Sequence, residues 1–248
     1  MALKTKNLYT PHTEKPYRMS RSSIESFTGC PRCFYLDKRR GVEPPSGLPF
    51  NLNSAVDALL KKEFDFYRER KEPHPLMTQY KIDAIPFSHV DLNKWRANTS
   101  GVRFHHLETN FLITGAVDDI WVDSRGKLIV VDYKSTAKND EITSLDLPWH
   151  DGYKRQMEIY QWLLRKNGFE VSDTCYWVYA NGDKSKDRFD ATLTFRMTVI
   201  PYKSSDKWIE KTLQNIKACL DSDKLQQASK YCELCGYVAD LKEFVEKI

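Results

Sequence analysis

Residues 115–135 read GAVDDIWVDSRGKLIVVDYKS, two strand-like runs joined by a tight turn, and they carry Asp118, Asp132 and Lys134. Side chains alternate faces along a strand, so Asp132 and Lys134 share one face of the second run while Ile129, Val131 and Tyr133 take the other. A three-residue loop of Ser124, Arg125 and Gly126, with Gly126 in the left-handed region, pairs Asp123 with Lys127. That register sets Asp118 opposite Asp132, with Cβ atoms about 4.5–5.5 Å apart, where like charges repel unless a cation lies between them. A divalent ion such as Mg²⁺ or Mn²⁺ suits carboxylate ligands in a partly hydrated site, and it would polarise a phosphoryl oxygen. Lys134 would then orient the attacking water or stabilise charge developing on the phosphate. An isolated Asp-x-Lys is most often an ordinary pair of solvated charges; here both runs are apolar enough to be central strands and a polar-faced helix follows.

That helix is expected over residues 153–167, with Gly168 as its stop. Gln156 and Tyr160 stand four apart on it, so they share a face from which both could reach the same phosphate or scissile strand, a surface Gln beside a core Tyr being the plainer alternative. Upstream, residues 53–72 place Val56, Leu59, Leu60, Phe64 and Tyr67 at helical spacing, closed by Pro73. Residues 73–101 hold prolines and scattered charges without a period and read as a long connection or insertion. Two short helices are expected around the Gly-Cys-Pro break in SRSSIESFTGCPRCFYLDKRRG, which begins at Ser20. Strands are expected at 111–122, 127–135, 174–180 and 191–200, a helix at 206–220 and a short charged helix at the tail. This order predicts an α/β fold with a mixed central sheet flanked by helices. Residues 1–19 read as a flexible arm and 20–248 as one domain.

A chain of 248 residues, 41% hydrophobic and 29% charged, is globular in composition. Its net charge of +4, from 38 Lys and Arg against 34 Asp and Glu, permits a polyanionic partner without demanding one. No apolar run approaches the roughly 20 residues a membrane span needs, so a cytoplasmic protein with no membrane partner is expected. In that compartment thiols stay reduced, and the cysteines point to metal or cluster binding. Cys30 and Cys33 form one C-x-x-C, and Cys232 and Cys235 form another. Together they offer four thiolates for a tetrahedral Zn²⁺ or an iron–sulfur cubane, clipping the N-terminal element to the tail. Two buried or redox-active pairs are the plainer alternative. Cys175 and Cys219 fit as small core residues.

In order and spacing, GAVDDI at 115–120, VVDYK at 130–134 and QMEIY at 156–160 resemble motifs of the RecB-like branch of the PD-(D/E)XK nuclease superfamily. The resemblance implies a restriction-endonuclease-like core and metal-dependent cleavage of phosphodiester bonds. It gives Asp118 and Asp132 as metal ligands, Lys134 as the catalytic lysine, and Gln156 and Tyr160 as substrate-side or structural support. Many relatives place a metal-site His in the helix after the N-terminal element, where NLNSAVDALLKKEFD has none. Asp57 is the nearest candidate ligand, and Glu108, ahead of the first strand, is a lesser one. The missing His also leaves open a non-catalytic nucleic-acid-binding or scaffold subunit. Cys30 and Cys232-x-x-Cys235 are similar to the plan of AddB-type and CRISPR adaptation exonucleases, which hold a [4Fe-4S] cluster. The implied substrate is DNA, and a helicase or a CRISPR or repair protein is the implied kind of partner. The basic stretches CPRCFYLDKRRG, NKWR and GYKR, with aromatics interleaved, are candidate phosphate contacts.

Overall fold

In the computed structural model of the protein, which describes residues 3–47 and 51–247, the hairpin closes in the expected register. Asp119 faces Val131, Ile120 faces Val130, Trp121 faces Ile129 and Val122 faces Leu128. Gly126 turns it with a φ of 82°, a conformation that costs glycine almost nothing.

In chain order the elements are β1 (Tyr17–Ser20), α1 (Arg21–Gly29), α2 (Pro31–Arg40), α3 (Asn51–Arg70), α4 (Pro75–Gln79), β2 (Ala84–Pro86), α5 (Leu92–Arg96), β3 (Val102–His106), β4 (Phe111–Gly115), β5 (Asp119–Asp123) and β6 (Leu128–Thr136). A 3₁₀ turn (Pro148–His150), α6 (Asp151–Lys166), β7 (Thr174–Gly182), β8 (Phe195–Lys203), α7 (Ile209–Asp221) and α8 (Glu233–Val245) follow. The described residues form two compact units, one from 3–47, 105–113 and 207–247, the other from 51–104 and 114–206. The sequence pattern predicts a single domain after residue 19.

The second unit holds a five-stranded sheet in the order β2-β5-β6-β7-β8. Only β6 and β7 run parallel, with α6 as part of the crossover; the other pairs are antiparallel. Ile129, Val131 and Tyr133 pack with Phe64, Leu60, Trp121 and Val178 in one apolar cluster. Burying a side chain such as Phe64 contributes about 1.5–3 kcal/mol. On α3 the inward row is Leu60, Phe64 and Arg68, one residue every turn; Leu59, expected inside, is 63% exposed. The alternate side chains of β6, Val130 and Asp132, lie on the face toward α6, where Gln156 meets Asp132.

Two stretches of this unit differ from the sequence pattern. Residues 73–101, read as a long connection or insertion, contain regular elements: β2 is an edge strand paired with β5, and α5 sits against the turn before β5, with the Trp95 carbonyl accepting from Val117 N–H at 3.1 Å. These elements have three to five residues each, too few to show a period. The strand expected over 111–122 is broken between β4 and β5. There the Asp118 carbonyl accepts from Arg96 Nε (3.0 Å) and its carboxylate takes the Tyr133 N–H (3.1 Å), so the chain leaves the backbone ladder at Asp118.

In the first unit α1 and α2 pack on each other and on α7. Ser20 caps α1 by accepting from Ser23 N–H at 3.2 Å, Pro31 opens α2, and Gly41 ends it in the left-handed region. Tyr9 and Met19, from the stretch expected to be an arm, are both buried. Tyr9 donates its hydroxyl to Asp221 at 2.6 Å. Among the described residues no helix is long and apolar enough to cross a membrane.

Candidate active site and cysteine site

The second unit gathers Asp57, Asp118, Asp132, Lys134, Gln156 and Tyr160 at one end of the hairpin. Asp132 is completely buried. Its Oδ1 accepts from Gln156 Nε2 at 2.6 Å, and Lys134 forms an ion pair with its other oxygen. Gln156 Nε2 also reaches the Tyr160 hydroxyl at 3.1 Å, so the two α6 residues act as one brace. Tyr160 lies so close to Gly115 that a Cβ there would stand 2.8 Å from its ring. A glycine is therefore required where β4 passes under α6. Lys134 Nζ sits 4.9 Å from the centre of the Tyr153 ring, a cation–π distance.

A residue the motif reading missed completes the cluster. Lys61, one helical turn after Asp57 on α3, donates to Asp57 Oδ2 at 2.8 Å and to Asp118 Oδ1 at 3.3 Å. Its spacing from Asp57 was the available signal. Asp57 thus reaches the Asp118 carboxylate through an ammonium group. Glu108 belongs to the first unit, where it accepts from Gln214 at 2.8 Å.

Electrostatics set this cluster apart. Burial pushes Asp132 up to about 7, with Asp118 adding to the rise and Lys134 only partly opposing it. Burial works against the charge on Lys134, but Asp132 and Asp118 outweigh it and its pKa is raised. Asp57 is also raised, chiefly by burial. Fully ionised, the three carboxylates outnumber the two ammonium groups of Lys61 and Lys134. Hard oxygen donors short of positive charge are what a divalent cation of the Mg²⁺ or Mn²⁺ type satisfies, and Asp118 and Asp132 fit it.

Asp119, the neighbour of Asp118, is also fully buried, and the sequence reading passed over it. It accepts from Arg96 Nη2 (2.8 Å), the Tyr133 hydroxyl (2.7 Å) and the Ile120 N–H (2.8 Å), and pairs with Arg68. Asp65 closes the network by binding Arg96 at 2.8 and 2.9 Å and pairing with Arg68. The charge of the NKWR stretch is therefore spent internally at Arg96, and Lys94 is held by Asp91 at 2.7 Å.

In the first unit the four cysteine sulfurs of Cys30, Cys33, Cys232 and Cys235 lie within 4.8 Å of one another. Individual separations are 3.4 Å for Cys33–Cys235, 3.6 Å for Cys33–Cys232 and 3.8 Å for Cys30–Cys235. Cys30 and Cys232 are the N-caps of α2 and α8, and their partners sit in the first turn, where free N–H groups favour thiolates. For Cys30 burial opposes ionisation, yet hydrogen bonds from the backbone of Cys33 and Ser229 outweigh it and bring the thiol down to about 7. The spacing and chemistry fit a bound metal ion or cluster. Cys175 and Cys219 are buried in the core.

A mixed sheet between helices, bearing an acidic pair and a lysine on one hairpin, suits a metal-assisted phosphodiesterase. Residues 48–239 match the family model described as the PD-(D/E)XK nuclease superfamily, well over half the chain, and the protein belongs to that superfamily. Eight solved chains match it. One of them, the crystal structure of SSO0001, is 16% identical and aligns over 87% of this chain and 82% of its own, with a TM-score of 0.40. No curated protein matches the sequence.

Proposed function

We propose that the protein is a divalent-metal-dependent deoxyribonuclease of the RecB-like branch, acting as an exonuclease in DNA repair, recombination or CRISPR-type processing. The observation that carries the catalytic reading is the Asp118–Asp132–Lys134 cluster, with a buried carboxylate raised to about 7 beside an ammonium group. The order of the motifs at 115–120, 130–134 and 156–160 supports the branch. Mg²⁺ or Mn²⁺ on Asp118 and Asp132 would supply the positive charge that polarises a phosphoryl oxygen and acidifies the attacking water. Lys134, kept as an ammonium by the two carboxylates, stabilises the charge that grows on the phosphate. Gln156 fixes the rotamer of Asp132 and the Tyr133 N–H that of Asp118; Tyr160 supports Gln156 from the next turn. Lys61 holds Asp57 and Asp118 together, so Asp57 joins the metal site through it.

For the cysteines we infer a single tetrahedral ion, zinc, as a structural clip. A Zn–S bond of about 2.3 Å gives a tetrahedral edge of about 3.8 Å, close to three of the six sulfur separations, 3.4, 3.6 and 3.8 Å, with none above 4.8 Å. A [4Fe-4S] cubane binds each thiolate to a separate iron and spreads the four apart.

The test is cleavage of labelled single-stranded, linear duplex and closed circular DNA with Mg²⁺, Mn²⁺ or chelator, alongside Lys134→Ala. Expected are metal-dependent loss of linear DNA, intact circles, and a drop of about 10²–10³-fold in the variant. Equal rates for variant and wild type would remove catalysis from this cluster. Elemental analysis of the same preparation is expected to return zinc from a colourless protein; a brown protein with iron and sulfide would replace the single ion by a cluster.

A further inference from the structure

Burying a tryptophan is worth more than burying almost any other side chain, and this chain has six. Trp121, Trp162 and Trp177 are buried, and Trp95 and Trp208 are half-buried. Trp149 alone among the described residues is open to solvent, at 64% exposure. It does not hang from a loose loop. It is the middle residue of the 3₁₀ turn before α6, between Pro148 and the buried His150. His150 Nδ1 accepts from the Leu147 N–H at 3.2 Å and its own N–H donates to the Leu147 carbonyl at 2.8 Å. The ring is thus presented on a braced turn.

The turn also leads to the candidate active site. Trp149 meets His150 edge-on, with ring centres 5.6 Å apart. His150 stacks on Tyr153 at 5.9 Å and 25°, and Tyr153 lies under Lys134 Nζ at 4.9 Å. A row of rings therefore runs from the proposed catalytic ammonium to the exposed indole. Lys138 stands at its outer end, with Nζ 6.0 Å from the Trp149 ring. Its backbone is pinned by the buried Asn181, which accepts from Lys138 N–H at 2.8 Å and donates to its carbonyl at 3.1 Å. The acidic neighbour Asp151 is offset by Lys154 at 3.5 Å.

We propose that Trp149 is a stacking platform for an unpaired nucleobase of the strand whose phosphate lies at Lys134, with Lys138 contacting the backbone beside it. This rests on the nuclease reading and adds a specificity-determining residue to it. A base within a duplex is stacked on both sides and has no face to offer an indole; a base in a single strand or frayed end does. Stacking on an aromatic ring tolerates any base, so the platform selects for strandedness rather than sequence.

The test is fluorescence anisotropy of labelled single strands and blunt duplexes on the full chain, with no Mg²⁺ or Mn²⁺ added so that nothing is cut. Trp149→Ala is expected to weaken single-strand binding about 5- to 150-fold, the range for losing one stacked base, and to leave blunt-duplex binding within about twofold. Trp149→Phe should keep most of the affinity. A strand with one abasic position, stepped along its length, should bind wild type poorly at a single position to which Trp149→Ala is indifferent. Equal losses on both DNA forms, or none, would overturn the platform. Metal-dependent cleavage by the wild type then separates two failures: cleavage with unchanged Trp149→Ala binding removes the platform alone, whereas neither binding nor cleavage of any DNA removes the nuclease reading too.

Discussion

Two fully buried carboxylates stand on the same hairpin, Asp119 on β5 and Asp132 on β6, and their surroundings differ in one respect. Asp119 meets two guanidinium groups, a tyrosine hydroxyl and a backbone N–H. Asp132 meets one ammonium group and one amide, with a second carboxylate, Asp118, acting against it. A buried anion is tolerable only when its lost hydration is replaced. At Asp119 the replacement is complete, and the group serves as an internal tie between α3, α5 and the hairpin. At Asp132 it is incomplete, a shortfall that the proposed cation would meet. Burial alone does not separate a structural carboxylate from a reactive one; the balance of partners does.

The comparison can be broken at its structural end first. Asp119→Ala removes the fully buried anion between Arg68 and Arg96 and leaves them only the partly exposed Asp65, which should cost about 3–5 kcal/mol of stability, read by urea unfolding. A cost below about 1 kcal/mol would mean that Asp119 is not the tie. At the other end, Asp132 sharpens it through pH. Its folded-state pKa of about 7 lies above the ordinary carboxylate value of 3.8, so the folded chain holds that proton longer than the unfolded chain. The metal-free protein should therefore lose stability as pH rises from about 4 to about 7 and then level off. A cation must displace the same proton, so Mn²⁺ affinity should fall about tenfold per pH unit below 7. Calorimetric titration between about pH 5 and pH 8 checks this, and a flat profile would mean that Asp132 is already ionised. The smallest effect is expected at the turn that fixes both groups. Gly126→Ala meets no atom within 4 Å, so its cost is the left-handed backbone alone, about 1 kcal/mol, visible in the unfolding midpoint with activity retained.

What the sequence made legible follows from the same hairpin. A period of two and one glycine turn suffice to bring Asp118 to the end of the hairpin that carries Asp132, and a period of 3.6 suffices to put Gln156 and Tyr160 on one face. The paired cysteines announce a four-sulfur site because two C-x-x-C turns have few other uses. The partners of Asp119 were hidden, since Arg68 and Arg96 lie 51 and 23 positions away and nothing local marks them as inward. For the same reason NKWR reads as a surface patch although Arg96 is half-buried against carboxylates. Leu59 misled because a helix pattern gives the width of an apolar stripe poorly, and the stripe on α3 is narrow. Lys61 was missed, because an i, i+4 spacing from Asp57 does not reveal that it also reaches Asp118.

The unit that carries the cysteines is stitched from three distant stretches of chain, and its last two sulfurs come at positions 232 and 235. On the ribosome, the sheet-bearing unit has all its residues by position 206 and can collapse while the other still waits for α7 and α8. The order of synthesis thus delivers the unit with the acidic cluster first and the four-sulfur site last, so a chain released early would carry the acidic cluster without the second sulfur pair.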